Sequence, residues 1–260
     1  MNVFIWGAQM LSEERRNEIV NYLEKHNTAT VQELVDALDS SAATIRRDLS
    51  ALHDENRIVK VFGGATSLSF KGISAAEPSV AEKATLNTEE KTQIAEYAAS
   101  LIQDDDFVYI DSGTTTLYMI DFITSTKSSF VTNGIVHAQK LIERGLNTII
   151  VGGMVKPVTE AVIGAKCAEE LSKYHFTKAF MGTNGISLKA GFSTPDSEEA
   201  LVKTIAVKHS HDTYVLADHS KFDAISPVCF ADIHDCIIIT DRKPNNKYAD
   251  KTTIKNVAAK

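Results

Sequence analysis

Arg46 and Arg47 stand side by side in the run Ser41-Ala42-Ala43-Thr44-Ile45-Arg46-Arg47-Asp48-Leu49. Ile45, Leu49 and Leu52 fall at i, i+4 and i+7, so a helix here turns one face to a core and points Thr44, Arg46, Arg47 and Ser50 elsewhere. A buried structural helix has little reason to carry two guanidinium groups on its outward side. Such groups fork onto guanine edges or clamp phosphates. Arg57 and Lys60 follow in Asn56-Arg57-Ile58-Val59-Lys60-Val61-Phe62-Gly63-Gly64-Ala65. There Ile58, Val59 and Val61 predict a strand, and Gly63-Gly64 the tight turn at the tip of a wing. Arg46, Arg47, Arg57 and Lys60 together form a small basic patch. The plain alternative is a solvated arginine pair on a helix-turn-helix that serves as a protein–protein module.

A second set of polar residues recurs where apolar runs end. Asp111-Ser112-Gly113-Thr114-Thr115-Thr116 follows Phe107-Val108-Tyr109-Ile110, and Thr132-Asn133-Gly134 follows Ser129-Phe130-Val131. Gly152-Gly153 follows Thr148-Ile149-Ile150-Val151, and Gly182-Thr183-Asn184-Gly185 follows Ala179-Phe180-Met181. Asp218-His219-Ser220-Lys221 follows Tyr214-Val215-Leu216-Ala217. One such segment marks any strand-to-helix turn; five in succession predict a polar pocket. In the first, backbone N–H groups made accessible by Gly113, the hydroxyls and the positive end of a helix suit a phosphate.

The elements that must position these groups are legible in the periodicity. Helical patterns lie near 90–103, 115–123, 135–143, 165–171 and 198–209, and Cys236-Ile237-Ile238-Ile239 adds a sixth strand. Alternation of this kind predicts an α/β domain with a mainly parallel sheet covered on both faces. In such sheets, ligands bind outside the carboxyl ends of the strands. Ahead of it, Ser12 with Glu13 and Glu14 starts a helix whose buried stripe is Ile19, Val20 and Leu23 and which ends at His26-Asn27. Thr30-Val31-Gln32-Glu33 is a capping box opening a second helix with Val31, Leu34, Val35 and Leu38 inward. Asp39-Ser40-Ser41 makes the turn and caps the third. The expected organisation is a disordered extension over 1–9, a winged helix-turn-helix over 10–66, a linker over 67–80 marked by Gly72 and Pro78, the α/β domain over 81–245, and a polar tail over 246–260.

Composition sets limits. The chain has 260 residues, 43% hydrophobic and 23% charged, ordinary values for a well-packed soluble protein. No apolar run is long enough to cross a bilayer, and Val3-Phe4-Ile5-Trp6 lacks the basic flank of a signal peptide. Three cysteines, Cys167, Cys229 and Cys236, have no CxxC spacing and fit a reducing cytoplasm. The net charge is −7, and residues 1–70 carry seven basic against ten acidic residues. Nucleic-acid binding therefore rests on the local patch, with a shallow dependence on salt. There is no GxxxxGK[ST] loop, the eight histidines are scattered, and no cofactor, metal or catalytic residue is expected. For His219, contact with a ligand and plain solvent exposure are both open.

Arg15, Ile19, Leu23, Ser41, Thr44, Ile45, Arg46, Arg47, Asp48 and Leu49 fit without a gap the helix-turn-helix signature of the DeoR family of bacterial transcription regulators, which the chain resembles. One departure is Phe62, where the family usually carries histidine before Gly-Gly-Ala. The resemblance implies that Ser41, Thr44, Arg46 and Arg47 face double-stranded operator DNA, with Asp48 orienting the helix. From about Asn87 to Asp241 the chain resembles the DeoR-type sensor domain, a Rossmann-like module similar to ribose-5-phosphate isomerase and the CoA transferases. That likeness implies a phosphorylated sugar effector held by Ser112, Gly113, Thr114 and Thr115, with Asp218, Ser220 and Lys221 on the same site. Asp111, Asn133, Gly153, Glu199 and Lys203 would line the cavity; for Lys203 a solvated helix lysine is an equal reading. Glu198 and Glu199 lie near where the isomerases keep their base, so an isomerase-like enzyme with an accessory DNA-binding domain is the alternative. Against it, the acidic cluster those enzymes carry after the fourth strand is here Gly182-Thr183-Asn184-Gly185, without a carboxylate. The expected protein is a cytoplasmic regulator, a repressor, of carbohydrate metabolism that acts as a homo-oligomer, dimer or tetramer, because half-sites are read by paired helices.

Overall fold

The computed structural model describes residues 12–26, 28–55, 57–61, 63–67 and 79–258, and the chain divides into two compact units, 1–71 and 72–260. The expected extension over 1–9, Phe62 and nearly all of the expected linker lie outside the described residues.

The amino-terminal unit runs α1 (Ser12–His26), β1 (Thr28–Thr30), α2 (Val31–Leu38), α3 (Ala42–Asp54), β2 (Ile58–Val61) and β3 (Gly64–Ser67). Its boundaries are set by side chains. Thr30 and Glu33 close both bonds of a capping box on α2, Asp39 turns the chain at φ 46°, and the Ser41 hydroxyl accepts from the Thr44 N–H at the head of α3. Ile19, Leu23, Leu34, Ile45, Leu49 and Leu52 pack with Ile58 and Ala65 in one core. The strands form an antiparallel sheet in the order β1-β3-β2. β1 has no alternation to betray it, because Thr28-Ala29-Thr30 doubles as the entry to the capping box. The double glycine has two separate reasons: Gly63 lies at φ +79°, and a Cβ on Gly64 would fall 2.1 Å from the Ala29 carbonyl oxygen, so β3 meets β1 only where no side chain intervenes.

The larger unit continues with α4 (Val80–Thr85), α5 (Thr88–Ser100), β4 (Phe107–Ile110), α6 (Thr114–Met119), β5 (Ser129–Thr132), α7 (Ile135–Glu143), β6 (Asn147–Ile150), β7 (Met154–Lys156), β8 (Ala161–Ile163), α8 (Ala165–Leu171) and β9 (Phe176–Gly182). It closes with β10 (Gly185–Ser187), β11 (Gly191–Thr194), α9 (Ser197–Lys208), β12 (Ser210–Leu216), β13 (Val228–Ala231), β14 (Ile237–Thr240), α10 (Asn246–Ala249) and β15 (Ile254–Asn256). Seven strands form one sheet in the order β15-β14-β12-β9-β4-β5-β6, and every pairing in it is parallel. Alternate residues serve opposite faces: Val108, Ile110, Phe130, Phe180, Leu216 and Ile239 join α5 and α6 in one core. Tyr109, Val131, Ala179, Met181, Val215 and Ile238 join α8 and α9 in the other. Burial on both faces explains why these strands read as continuous apolar runs.

The chain steps from β4 outward through β5 and β6, then returns to place β9 on the other side of β4 and proceeds to β15. The order therefore reverses between β4 and β9, the crevice position at which open α/β sheets bind ligands. Residues 246–260, expected as a polar tail, instead supply α10 and the edge strand β15, which pairs with β14 from Ile238↔Ile254 to Thr240↔Asn256. Tyr248 is fully buried there. The segment is too short and too polar in composition for either element to stand out by pattern.

Arg15 and Asp48 sit on the inward stripes of α1 and α3, where the Arg15 Nε donates to Asp48 Oδ2 at 2.6 Å and both side chains are buried. Removing one member of such a pair leaves the other charge stranded. Arg15→Ala is expected to lower the stability of the amino-terminal unit by about 3 kcal/mol, read by urea unfolding of the full chain. A shift below the error of the measurement would show that the pair orients nothing.

Candidate functional site

α3 presents its polar face without competition. Arg46 and Arg47 are exposed, and neither guanidinium has a partner among the described residues. The other expected contacts are differently placed. Ser41 and Thr44 are bonded to each other, their hydroxyls 2.9 Å apart, so Ser41 works first as a helix cap. Lys60 donates to the Ser50 hydroxyl at 2.9 Å, which lays its stem against α3. Arg57 donates to Asn17 Oδ1 at 2.7 Å and lies 3.5 Å from Glu55, a bridge back to α1. The free charge is thus concentrated in Arg46 and Arg47, on one short helix of the size that enters a major groove.

In the larger unit, the loops after β4, β5, β6, β9 and β12 all lie at the carboxyl rim of the sheet, as the parallel pairing requires. At the reversal between β4 and β9, Asp111 and Lys203 meet. Both are buried, Lys203 Nζ donates to Asp111 Oδ2 and, at 3.1 Å, to the Gly182 carbonyl, and the Gly182 N–H donates to the same carboxylate oxygen at 2.9 Å. Asp111 Oδ1 is buried with no hydrogen-bond partner among the described residues. An acceptor left so is costly unless something donates to it. Lys203 is therefore no solvated helix lysine. Ser112, Gly113 and Thr114 are half-buried beside this pair, and Thr115 is buried in the first turn of α6.

The loop after β12 is fastened from α5. Asp218 Oδ1 accepts from the Ser220 N–H at 2.8 Å and from Asn87 Nδ2 at 3.0 Å. Burial alone would raise the Asp218 carboxyl, but the Ser220 bonds and the charges of Lys221 and Lys91 hold it below the ordinary carboxylate range. Lys91 is buried and donates to the Lys83 carbonyl. Burial pushes its ammonium below the usual lysine value, Asp218 pulls it back up, and Lys221 and Lys83 add repulsion. The ammonium groups of Lys91 and Lys221 outnumber the one Asp218 carboxylate on which both act. Lys91 was missed in the sequence, yet it lies three residues before Ile94 and seven before Ala98, on the apolar stripe of its own helix.

Other expected ligands are committed to holding the fold. Asn133 accepts from the Tyr109 hydroxyl at 3.0 Å and donates to the Val162 carbonyl at 3.0 Å. Gly153 is exposed, but a Cβ there would lie 2.9 Å from both the Ile163 carbonyl oxygen and Val162 Cγ1, so only glycine fits beside β8. Glu199 accepts from Thr159 at 2.8 Å and Thr194 at 3.3 Å, with Lys156 at 3.4 Å, which fastens the β7–β8 turn to α9. His219 donates from Nδ1 to Asp241 Oδ2 at 2.8 Å. Glu90, His219 and Asp241 offer three ligand atoms within 4.8 Å, but Arg242 lies against both carboxylates at 3.7 and 3.4 Å, so the cluster is already charge-paired. A groove of about 830 Å³ opens elsewhere, lined by Asp212, Thr213, Cys236, Ile237, Lys251 and Ile254. It includes the amino ends of β12 and β14, away from the buried charges at the carboxyl rim. No helix of the described residues is long and apolar enough to cross a membrane.

Residues 15–71 match the family described as DeoR-like helix-turn-helix domain, and residues 86–242 match DeoR C terminal sensor domain. Over 252 residues the chain is 44% identical to the uncharacterized HTH-type transcriptional regulator FruR of Bacillus subtilis strain 168, covering 95% of this chain and 99% of that one. It is 32% identical over 243 residues to the HTH-type transcriptional repressor GlcR of the same organism, covering 93% of each. It is also 32% identical over 248 residues to the lactose phosphotransferase system repressor of Staphylococcus epidermidis, covering 94% and 96%. Among solved structures, ribose 5-phosphate isomerase A from Methanocaldococcus jannaschii is similar over 52% of this chain and 55% of that one, at TM-score 0.39 and 14% identity. A likeness so shallow bears on neither ligand nor reaction.

One buried group at the rim titrates in an accessible range. Burial pushes the His137 imidazole down to about 4, against the Gly113 hydrogen bond and the Asp111 charge, with Lys140 and Lys203 adding to the depression. The unfolded chain takes up this proton below about 6.5, while the folded chain refuses it until about 4. Between those values unfolding binds a proton, so stability falls as pH falls, by roughly 3 kcal/mol in all. Urea unfolding from pH 7 to pH 4.5 is expected to show this loss in the larger unit, and His137→Gln to flatten it. An unchanged slope in the variant would assign the loss to other groups.

Proposed function

The chain belongs to the DeoR family of transcriptional regulators, and from that premise we propose that it represses a carbohydrate operon, with a phosphorylated sugar setting its hold on operator DNA. The observation that carries the DNA half is the pair of exposed guanidinium groups on α3 that have no partner among the described residues. Arginine placed so forks onto guanine O6 and N7 or clamps phosphate. Two copies, each offering one α3, would read a half-site each. The repressor names of two relatives support the direction of control.

The effector half is supported by the carboxyl rim of the sheet. A phosphate fits the net cationic corner of Lys91 and Lys221 together with the amides and hydroxyls of residues 112–115. A sugar hydroxyl fits Asp111 Oδ1, an acceptor that lacks a donor among the described residues. Binding without turnover is favoured because the Gly182–Gly185 loop holds no carboxylate and Glu199 is engaged by Thr159, Thr194 and Lys156. The effector changes operator affinity only by as much as it prefers one arrangement of the protein over another. Such a regulator works in the cytoplasm, beside its DNA.

The deciding experiment is a gel-shift titration of the full chain on promoter fragments of its own genome, with and without a panel of sugar phosphates. Retention of a specific fragment and its release by one of the sugars is the expected result; indifference to every fragment would end the proposal. Arg46→Ala is expected to cost about 1–3 kcal/mol of specific binding while leaving non-specific binding little changed. Equal discrimination between operator and scrambled DNA in that variant would take Arg46 out of the readout. Lys221→Ala is expected to retain operator binding and lose the sugar response, measured in the same titration. Normal release by the variant would move the anion elsewhere.

A further inference from the structure

We infer that His137 is the positioning residue of the 112–115 loop: its imidazole, reaching in from α7, fixes the Gly113 carbonyl and thereby aims the amides and hydroxyls that follow. The inference rests on the effector site proposed above. Gly113 caps α6 without a side chain, so no cap side chain accepts from the first turn, and Thr116 reaches back to the Gly113 carbonyl only from within the helix itself. A helix of six residues begun in this way lacks the capping interaction that usually holds its entry. His137 supplies the missing restraint from another element. Its Nε2 lies 2.9 Å from the Gly113 carbonyl oxygen, which can only accept, so Nε2 carries the proton and donates. The same nitrogen is 3.1 Å from the Thr116 hydroxyl, itself within 2.5 Å of the Asp111 carbonyl and 2.7 Å of the Gly113 carbonyl. One ring therefore ties the end of β4, the turn and the start of α6 to a single point.

The sequence around His137 is built to admit the ring. It is buried, and a Cβ on Gly134 would lie 2.5 Å from its Nδ1, so a side chain at that helix cap would expel it. A neutral imidazole with Nε2–H already donated has no charge and no proton to offer an anion. It acts through the loop and is not a ligand. The gap that His137 lines with Ser112, Thr114, Thr159 and Glu160 is about 10 Å³, the room of one water, so the loop is held close and not propped open.

The test uses the full chain as wild type, His137→Leu and His137→Gln, with two readouts: amide hydrogen exchange of residues 112–116, and affinity for inorganic phosphate by 31P NMR. The leucine variant fills the space but cannot donate. It is expected to exchange the loop amides about tenfold faster and to bind phosphate about tenfold more weakly, while amides of β4 and β9 keep their wild-type rates. Glutamine, whose amide can donate to Gly113, is expected to restore both within about twofold. Loop exchange and phosphate affinity unchanged in His137→Leu would overturn the inference, as would a glutamine variant no better than leucine. If the leucine variant loses its fold, His137→Asn, too short to reach Gly113, takes its place with the same expectations. Wild-type protein that binds no phosphate would remove the effector-site reading alone, because the exchange comparison still decides the role of His137.

Discussion

A buried ion pair at the one place where the sheet reverses its order carries the larger unit. Asp111 directly follows β4, Gly182 ends β9 and Lys203 comes from α9, so a single carboxylate joins segments 71 and 92 residues away along the chain. Charges this dry are stable together only when further hydrogen bonds complete their surroundings. The Gly182 N–H and carbonyl do so for one carboxylate oxygen and for the ammonium. Because loss of either partner strands the other, β4 and β9 are held with their ends level. The loops that follow them are forced into one place. The short α6, His137 beneath it and the Glu199 fastening of the β7–β8 turn are all arranged around that fixed point.

The amino-terminal unit uses the same device for a different end. Ile45, Leu49 and Leu52 bury one side of α3, and the Arg15–Asp48 pair adds a directional bond to that non-directional packing. Apolar contacts alone would tolerate some rotation of the helix about its axis. A 2.6 Å charged hydrogen bond does not. What remains outside is then determined: Arg46 and Arg47 are exposed with no acid among the described residues to claim them, in a unit whose overall charge is negative. Glu55, just past the end of α3, does not cancel this patch, because Arg16 of α1 and Arg57 already meet it.

The main sheet was legible because parallel strands covered on both faces carry continuous apolar runs, and six of its seven strands contain one, even β6 at the edge. β15 does not, since Ile254-Lys255-Asn256 at an edge needs little apolar surface. The hairpin β7–β8 and the strands β10, β11 and β13 are three or four residues long, below the length at which alternation can be counted. The candidate site was legible at its loops and illegible in its wiring. Asn133, Gly153 and Glu199 carry residue types that suit a ligand, and only the fold reveals that they are bonded to Val162, packed on Ile163, or fastened to Thr159. The strongest unused signal lay in charged or polar residues on apolar stripes. Arg15 with Ile19 and Leu23, Asp48 with Ile45 and Leu52, Lys91 with Ile94 and Ala98, His137 with Leu141, and Lys203 with Ala200 and Ala206 are all at helical spacing. Each proves buried and paired, because a polar group cannot stay on an inward face without a partner.

On the proposed reading, the two units communicate only as free energy, and a tenfold change in operator affinity requires about 1.4 kcal/mol of difference between two arrangements. The gap of about 10 Å³ beside His137 is far smaller than a sugar phosphate, so a ligand pressed against the 112–115 loop from that side must displace the turn between β7 and β8. That turn is not isolated. The Val80 N–H donates to the Val158 carbonyl, the Tyr118 hydroxyl of α6 donates to the Ala84 carbonyl, and Lys91 donates to the Lys83 carbonyl. All three bonds converge on α4, the first helix after residues 68–78, through which the chain passes from one unit to the other. An occupant of the rim that moves the turn, the head of α6 or Lys91 therefore works against bonds whose common member is α4. A ligand that leaves all three unchanged has no hold on that helix and, by this route, no differential energy to spend on DNA.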